Sequence, residues 1–498
     1  MERGANTYDT SLFIFRRDLR IEDNSGLIRA LESSRRVLPL FVCDPRQLEP
    51  HPYRSENAVR FLASSLQDLL YDIARRGGAL YFARGEAESV VEDLAKNLKR
   101  TLALQAVFVN RDYTPFSRRR DAAIEAACRS AGIAFHSFGD ALLHEPEAVT
   151  DAGKPPYKVF TPFMRFLRQI PVPLPRENKR KNYFDGTVEG LSKKMPDDLT
   201  RFSNPLIAVS GGRKSALKIL ARMGEFGNYR LERDVPALDA TTHLSAHLKF
   251  GTVSAREVYH AIQRRLGPNH SLTNELYWRD FFHHVAFHNP RVFGGAFQEK
   301  YAGLRWNEDE AAFEAWKEGR TGFPIVDAGM RELNATGFMH NRVRMIVGSF
   351  LTKDLHIDWR WGERYFAQKL ADYDPCVNNG NWQWVASTGC DAQPYFRIFN
   401  PWSQQLRFDP DCLYIKKWVP ELKKLSAEEI HGLQDGATNS KVSGDSNRSP
   451  SYPAPIVDHR AESARAIAMF RQPGVRLPGP PRTPKTRPTG SYGRRGGR

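Results

Sequence analysis

Five short apolar runs recur within the first 138 residues, at 12–15, 37–42, 79–82, 106–109 and 133–138. Each is too short for a buried helix and fits a buried strand. Helical patterns lie between them, as at 57–75 and 117–130. Strands alternating with helices predict a doubly wound, Rossmann-like parallel α/β sheet with helices on both faces. The alternation ends near residue 138, which bounds a first domain over 1–138.

Residues 139–210 are rich in proline and charge, with PPYKVFTPF at 155–163 and PVPLPRENKRKN at 171–182. They read as a long connector running over the surface. From 211 to 472 helical periodicity dominates, which predicts an all-α second domain. The tail 473–498 cannot bury a core and reads as a disordered basic segment. Of the net charge of +16, eight units fall in 471–498, so the rest of the chain still carries +8. That favours an anionic partner, nucleic acid first. Five cysteines with no C-x-x-C pair suggest a reducing compartment and neither a disulfide framework nor a Cys-based metal site. The N-terminus lacks the apolar run of a secretory signal. No stretch of about eighteen apolar residues predicts a membrane span.

Chemistry concentrates in four places. DYDPCVNNGNWQW at 372–384 packs Asp372, Asp374, Asn378, Trp382 and Trp384 together. Carboxylates repel phosphate, so they suit the donors of a ring or sugar. The tryptophans offer stacking faces and one-electron chemistry, although core packing and helix capping also use these residues. TTHLS at 241–245 puts hydroxyls at a helix start, where they cap backbone N–H groups or hold a pyrophosphate. In NELYWRDFF at 274–282, helical spacing brings Glu275, Trp278 and Arg279 close to one face. An acid, a flat ring and a cation suit a nucleobase and its phosphate; an internal salt bridge is the alternative. MHNRVRM at 339–345 sets Asn341, Arg342 and Arg344 within a turn of one another, a pattern a solvated basic face shares. GGRKS at 211–215 is set aside as a phosphate loop, because an arginine interrupts it and no strand leads in. His243 and His247 have metal-ligand spacing but no acidic third ligand nearby, so no metal is expected.

Together these residues resemble the photolyase/cryptochrome family, closest to class I cyclobutane pyrimidine dimer photolyases. The resemblance runs from FIFRRDLR at 13–20 to about residue 471. It includes RTGFPIVDAGMR at 320–331, the segments 337–351 and 378–388, and PYFRIFNP at 394–401. It implies an N-terminal α/β antenna domain, a connector and a helical domain holding FAD, fully reduced in the active form. Tyr229, Thr241, Thr242, Leu244 and Ser245 would hold the FAD phosphates and ribityl chain. Asn341, Arg344, Asp372, Asp374 and Asn378 would surround the flavin and sugar, with Asn378 facing N5. The implied partner is UV-damaged DNA, whose pyrimidine dimer is flipped into the cofactor pocket. Glu275 would bond the dimer bases, Trp278 and Trp384 would wall the cavity, Met345 would touch the lesion, and Arg279, Arg342 and Arg397 would serve phosphate and substrate. Trp382, Trp359 and Trp306 match the family's electron relay. The reaction implied is light-driven electron donation that splits the dimer.

A cryptochrome-type blue-light receptor shares the fold and is the alternative. A (6-4) photolyase fits less well, since it typically carries histidines where this chain has Asn341 and Met345. Thr242, His243, Phe338 and Asn381 depart from common residues near the flavin. An antenna chromophore, whether folate, 8-hydroxydeazaflavin or flavin, is implied near Asn110, Asp112 and the segment 54–61, where such sheets bind ligands. A cytoplasmic monomer acting on chromosomal DNA completes the expectation.

Overall fold

The computed structural model describes residues 7–149, 155–391, 398–435 and 452–471. The expected tail and Arg397 lie outside the described residues. The five apolar runs form five parallel strands, β1 (Tyr8–Phe15), β2 (Ser34–Cys43), β3 (Tyr81–Arg84), β4 (Leu104–Asn110) and β5 (Ala134–Phe138), in the order β3-β2-β1-β4-β5. Residues along β1 alternate between two cores, as the two-residue period of a strand dictates. Phe13 and Phe15 pack with Leu27 and Phe61, while Leu12 and Ile14 pack with Val91 and Ile124. The doubly wound fold expected of this region is therefore present.

The order reverses between β1 and β4. The crevice beyond their C-terminal ends is where such sheets take ligands. Here Arg17, just past β1, meets Asp112, just past β4, at 3.0 Å. The crevice receives the helical part of the chain, which supplies Asp374 to the same arginine.

The connector does more than cross the surface. Phe184 N–H donates to the Val37 carbonyl and Val37 N–H to the Asn182 carbonyl, and Ser192 bridges Phe82. These contacts pair backbone groups of β2 and β3 that would otherwise be left open. Phe163, Tyr183, Asn178 and Asp140 of the connector are buried. Asp140 binds Arg20 at 2.7 Å and Arg256 at 2.9 Å, tying sheet, connector and helices together.

Beyond residue 211 the chain is helical. The largest core gathers around helices Pro324–Thr336, Asn341–Ser349, Trp359–Lys369 and Pro375–Val385. Two of them start with proline at the first turn, where its fixed φ and missing N–H cost nothing. Trp316, fully buried in this core, donates its indole N–H to the Val347 carbonyl at 3.1 Å. No helix among the described residues is long and apolar enough to cross a membrane.

Asp140→Ala removes the carboxylate shared by two buried arginines. It should cost about 3–5 kcal/mol, read as a lower urea midpoint; a shift within error would show that Asp23 and the backbone carbonyls suffice for both.

Candidate functional site

Helix Thr273–His288 carries Glu275, Trp278 and Arg279, and all three side chains meet partners within this chain. Glu275 is ion-paired with Arg233. Burial pushes its carboxyl above the usual range, and Arg233 only partly offsets this. Trp278 stacks on Phe160 with ring centres 3.6 Å apart and planes 6° apart, so a ring of this chain already covers one face of the expected cavity wall. Arg279 lies one residue further along the same helix. Its guanidinium turns inward, donating to the carbonyls of Ala141 at 2.6 Å and Leu248 at 3.3 Å, and does not present itself to phosphate. Helical spacing placed it on a face with Glu275; the neighbouring backbone carbonyls decided where the side chain goes.

Helix Asn341–Ser349 begins with His340 as cap. Asn341 is exposed, and its amide lies 4.0 Å from the sulfur of Met345. Arg342 pairs with Asp234 at 2.9 Å and lies over the Phe408 ring. Arg344 donates to the Met339 carbonyl and to Asp372 Oδ2 at 3.0 Å. The other oxygen, Asp372 Oδ1, is buried and has no hydrogen-bond partner. A buried acceptor without a donor is costly, and the arrangement suits a ligand bringing an N–H or O–H.

Helix Pro375–Val385 carries Asn378, Trp382 and Trp384. The Asn378 amide nitrogen donates to the Glu363 carbonyl at 3.1 Å, and its oxygen accepts no bond from the described residues. The amide is thus fixed with its acceptor free. The glutamate that fixes it was not singled out from the sequence. Its own carboxylate accepts from Asn379 at 3.0 Å. Burial raises the Glu363 carboxyl to about 7, against the lowering effect of that hydrogen bond. Its only sequence signal is a charged residue inside an otherwise apolar helix face.

The Asp374 carboxylate caps this helix through the N–H groups of Cys376 and Val377 and binds Arg17 at 2.5 Å. Burial pushes this carboxyl up, but His283, Arg17 and Lys249 outweigh it and hold it well below the usual range. Asn110 is likewise committed, donating to Asp18 and Asn24 and accepting from Gly26 N–H. The antenna expectation attached to Asn110 and Asp112 therefore meets two side chains already engaged within the protein.

TTHLS leads into helix Ser245–Phe250, whose start has no side-chain cap. Ser245 is exposed, Thr241 and Thr242 are half-buried, and Leu244 and Tyr229 are buried. Backbone N–H groups at this end are left for a ligand or water. His243 precedes the helix with a positive φ of 52°, so it and His247 do not share a helix face. His243 packs on Phe338 with ring centres 4.4 Å apart, and Arg344 lies over the same ring. Two of the residues that depart from the common pattern, His243 and Phe338, thus lie against one another. At 211–215, a side chain on Gly212 would meet Asp68 Oδ2 at 2.5 Å, so a carboxylate stands where a phosphate loop would need an anion.

Trp382 and Trp359 are buried, and half-buried Trp306 packs against the same core. Trp384 and Met345 also border this core, whereas Trp278 belongs to the one built around Phe281 and Leu276. The expected substrate-contact residues are thus divided between two cores.

The family model described as DNA photolyase matches residues 11–178, and the one described as the FAD binding domain of DNA photolyase matches 271–472. The chain is 36% identical over 471 residues to the deoxyribodipyrimidine photo-lyase of Alkalihalophilus pseudofirmus, covering 92% of this chain and 97% of that protein. Among solved structures, it is similar to the archaeal photolyase of Sulfolobus tokodaii with two FAD molecules, at 42% identity and TM-score 0.80, over 93% of this chain and 99% of that one. It is also similar to the cryptochrome of Synechocystis sp. PCC6803, at 29% identity and TM-score 0.83, over 94% of this chain and 100% of that one.

Glu363 holds its proton to a higher pH when folded than the unfolded chain does, so it lowers stability as pH rises from about 4.5 to about 7. Glu363→Gln removes that dependence. Relative to wild type, it should gain about 1–3 kcal/mol between pH 5 and pH 8. Urea midpoints at the two pH values check this; a constant difference would show that the carboxyl titrates normally.

Proposed function

The chain belongs to the DNA photolyase family, and on that premise we propose that it splits cyclobutane pyrimidine dimers in UV-damaged DNA under light. FAD is its cofactor, and the α/β domain is the seat of an antenna chromophore. When bound and reduced, FAD would supply light-driven one-electron transfer to and from the dimer, the chemistry that opens its ring.

The observation that carries this reading is the pair of acceptors left open in the helical part. Asp372 Oδ1 is buried without a donor, and the Asn378 oxygen is free while Glu363 holds its amide. They fit the ring N–H groups of a flavin. Arg344 holds Asp372 in place. The uncapped start of helix Ser245–Phe250, with Tyr229, Thr241, Thr242 and Leu244, would meet the phosphates and ribityl chain. Asn341 would line the same site.

In this reading Glu275, Met345, Trp278 and Trp384 meet the extruded dimer, and Trp278 exchanges its Phe160 neighbour for a base. Glu275 leaves Arg233 to bond the bases. Burial raises its carboxyl above the usual range. Arg342 exchanges Asp234 for a flanking phosphate, which makes binding salt-sensitive. Arg397 would likewise grip a flanking phosphate. Trp382, Trp359 and Trp306 would pass electrons inward from the surface. A monomer in the cytoplasm fits the five buried, unpaired cysteines and would sediment at 56.7 kDa.

A blue-light receptor is the second reading, favoured by the likeness to the Synechocystis cryptochrome. Reduced protein under blue light should restore thymine absorbance to an oligonucleotide carrying a cyclobutane dimer, with no recovery in the dark. Glu275→Ala should slow recovery about tenfold, the loss of one hydrogen bond to a charged group. Bound FAD and measurable DNA binding without recovery would move the protein to the receptor class.

A further inference from the structure

Asp374 is the meeting point of three elements. Its Oδ1 caps helix Pro375–Val385 through Cys376 N–H at 3.0 Å and Val377 N–H at 3.3 Å. Its Oδ2 takes the Arg17 guanidinium at 2.5 Å and lies 3.3 Å from His283 Nε2 on helix Thr273–His288. His283 Nδ1 donates to the Arg279 carbonyl oxygen at 2.9 Å. Arg17 reaches Asp374 from the α/β domain. Its other branch is held by Asp112 at 3.0 Å, itself fixed by Tyr113 N–H and Ser117.

The same short segment also seats the helix whose start faces the phosphates. Gly251 ends helix Ser245–Phe250 with φ +62°, and a side chain there would come 2.3 Å from the Arg17 carbonyl oxygen. Leu19 N–H donates to the Phe250 carbonyl at 3.0 Å, and Arg20 to the Gly251 carbonyl at 3.1 Å. Two helices that carry the cofactor contacts therefore rest on four residues that follow β1. Asn378 lies one helical turn beyond Asp374, so a shift of that cap is carried directly to it.

His283, Asp374 and Cys376 offer ligand atoms within 4.8 Å of one another. However, Arg17 already occupies Asp374 Oδ2, and Lys249 is close enough to interact with both. The positive charge at this point comes from side chains, and the triad reads as part of the joint.

We propose that Arg17 is a positioning residue for the flavin, acting through Asp374 to hold helix Pro375–Val385, and with it Asn378, in place against helix Ser245–Phe250. The α/β domain then does more than carry an antenna: it completes the catalytic cofactor's site whether or not a second chromophore is bound. This rests on the flavin reading above. Lysine in place of arginine keeps the charge but loses the fork that spans Asp374 and Asp112.

The test uses the full chain, freed of flavin and titrated with FAD. Arg17→Met should raise the FAD dissociation constant at least tenfold and displace the midpoint potential of the flavin that remains bound. Arg17→Lys should recover most of the affinity and the wild-type potential. The double variant Arg17→Met/Asp374→Asn should bind no more weakly than the weaker single variant, because both remove one joint. Should Arg17→Met fail to fold, Arg17→Gln against Arg17→Lys carries the same comparison. Unchanged affinity and potential in Arg17→Met, or losses that multiply in the double variant, would overturn the assignment of Arg17 alone. A wild-type chain that binds no FAD would instead overturn the photolyase reading on which it rests.

Discussion

The carboxylate of Asp374 is the constraint on which the rest of the site depends. It lies in a crevice that a doubly wound sheet normally offers to a ligand, and here the helical domain fills it. Taking a charge out of water is costly unless it is paired and hydrogen-bonded, and every oxygen of this group has a partner. The joint therefore adds specificity of placement more than stability. Arg17 can meet Asp374 and Asp112 together only when the two domains dock in one register. Removing one partner would leave a buried charge, so the pairing resists drift.

Around this joint the side chains that face the site are held less firmly. Glu275 and Arg342 are paired with Arg233 and Asp234, which are half-exposed. Such pairs contribute little to stability and exchange readily for phosphate or a base. Asn378 is held by a backbone carbonyl and Asp372 by Arg344. In the proposed reading the cofactor side of the site is thus built in advance, and the DNA side is held by replaceable contacts. That division suits an enzyme whose chemistry lies in its cofactor and whose substrate must enter from a duplex.

The sheet was legible in the sequence because a strand's period places every residue on one face or the other; all five apolar runs became strands. The motifs around Asp372, Asn378, Arg344 and Glu275 were legible because their residue types are unusual together. The partners of Arg279 and Asp374 were not legible: helical spacing and residue type cannot say what stands opposite a side chain. Glu363 and Arg17 were missed as site residues because their partners lie 15 and 357 positions away in the chain. Phe160 covering Trp278 was unreadable for the same cause, since the connector that brings it reads only as proline-rich surface.

The most direct measurement is a crystal structure of this chain with FAD. The account predicts that Asp372 Oδ1 and the Asn378 oxygen each accept a hydrogen bond from the cofactor at about 2.7–3.2 Å, with helix Pro375–Val385 unmoved and Arg17 still on Asp374. Cofactor bound elsewhere, or both acceptors left without donors, would contradict it.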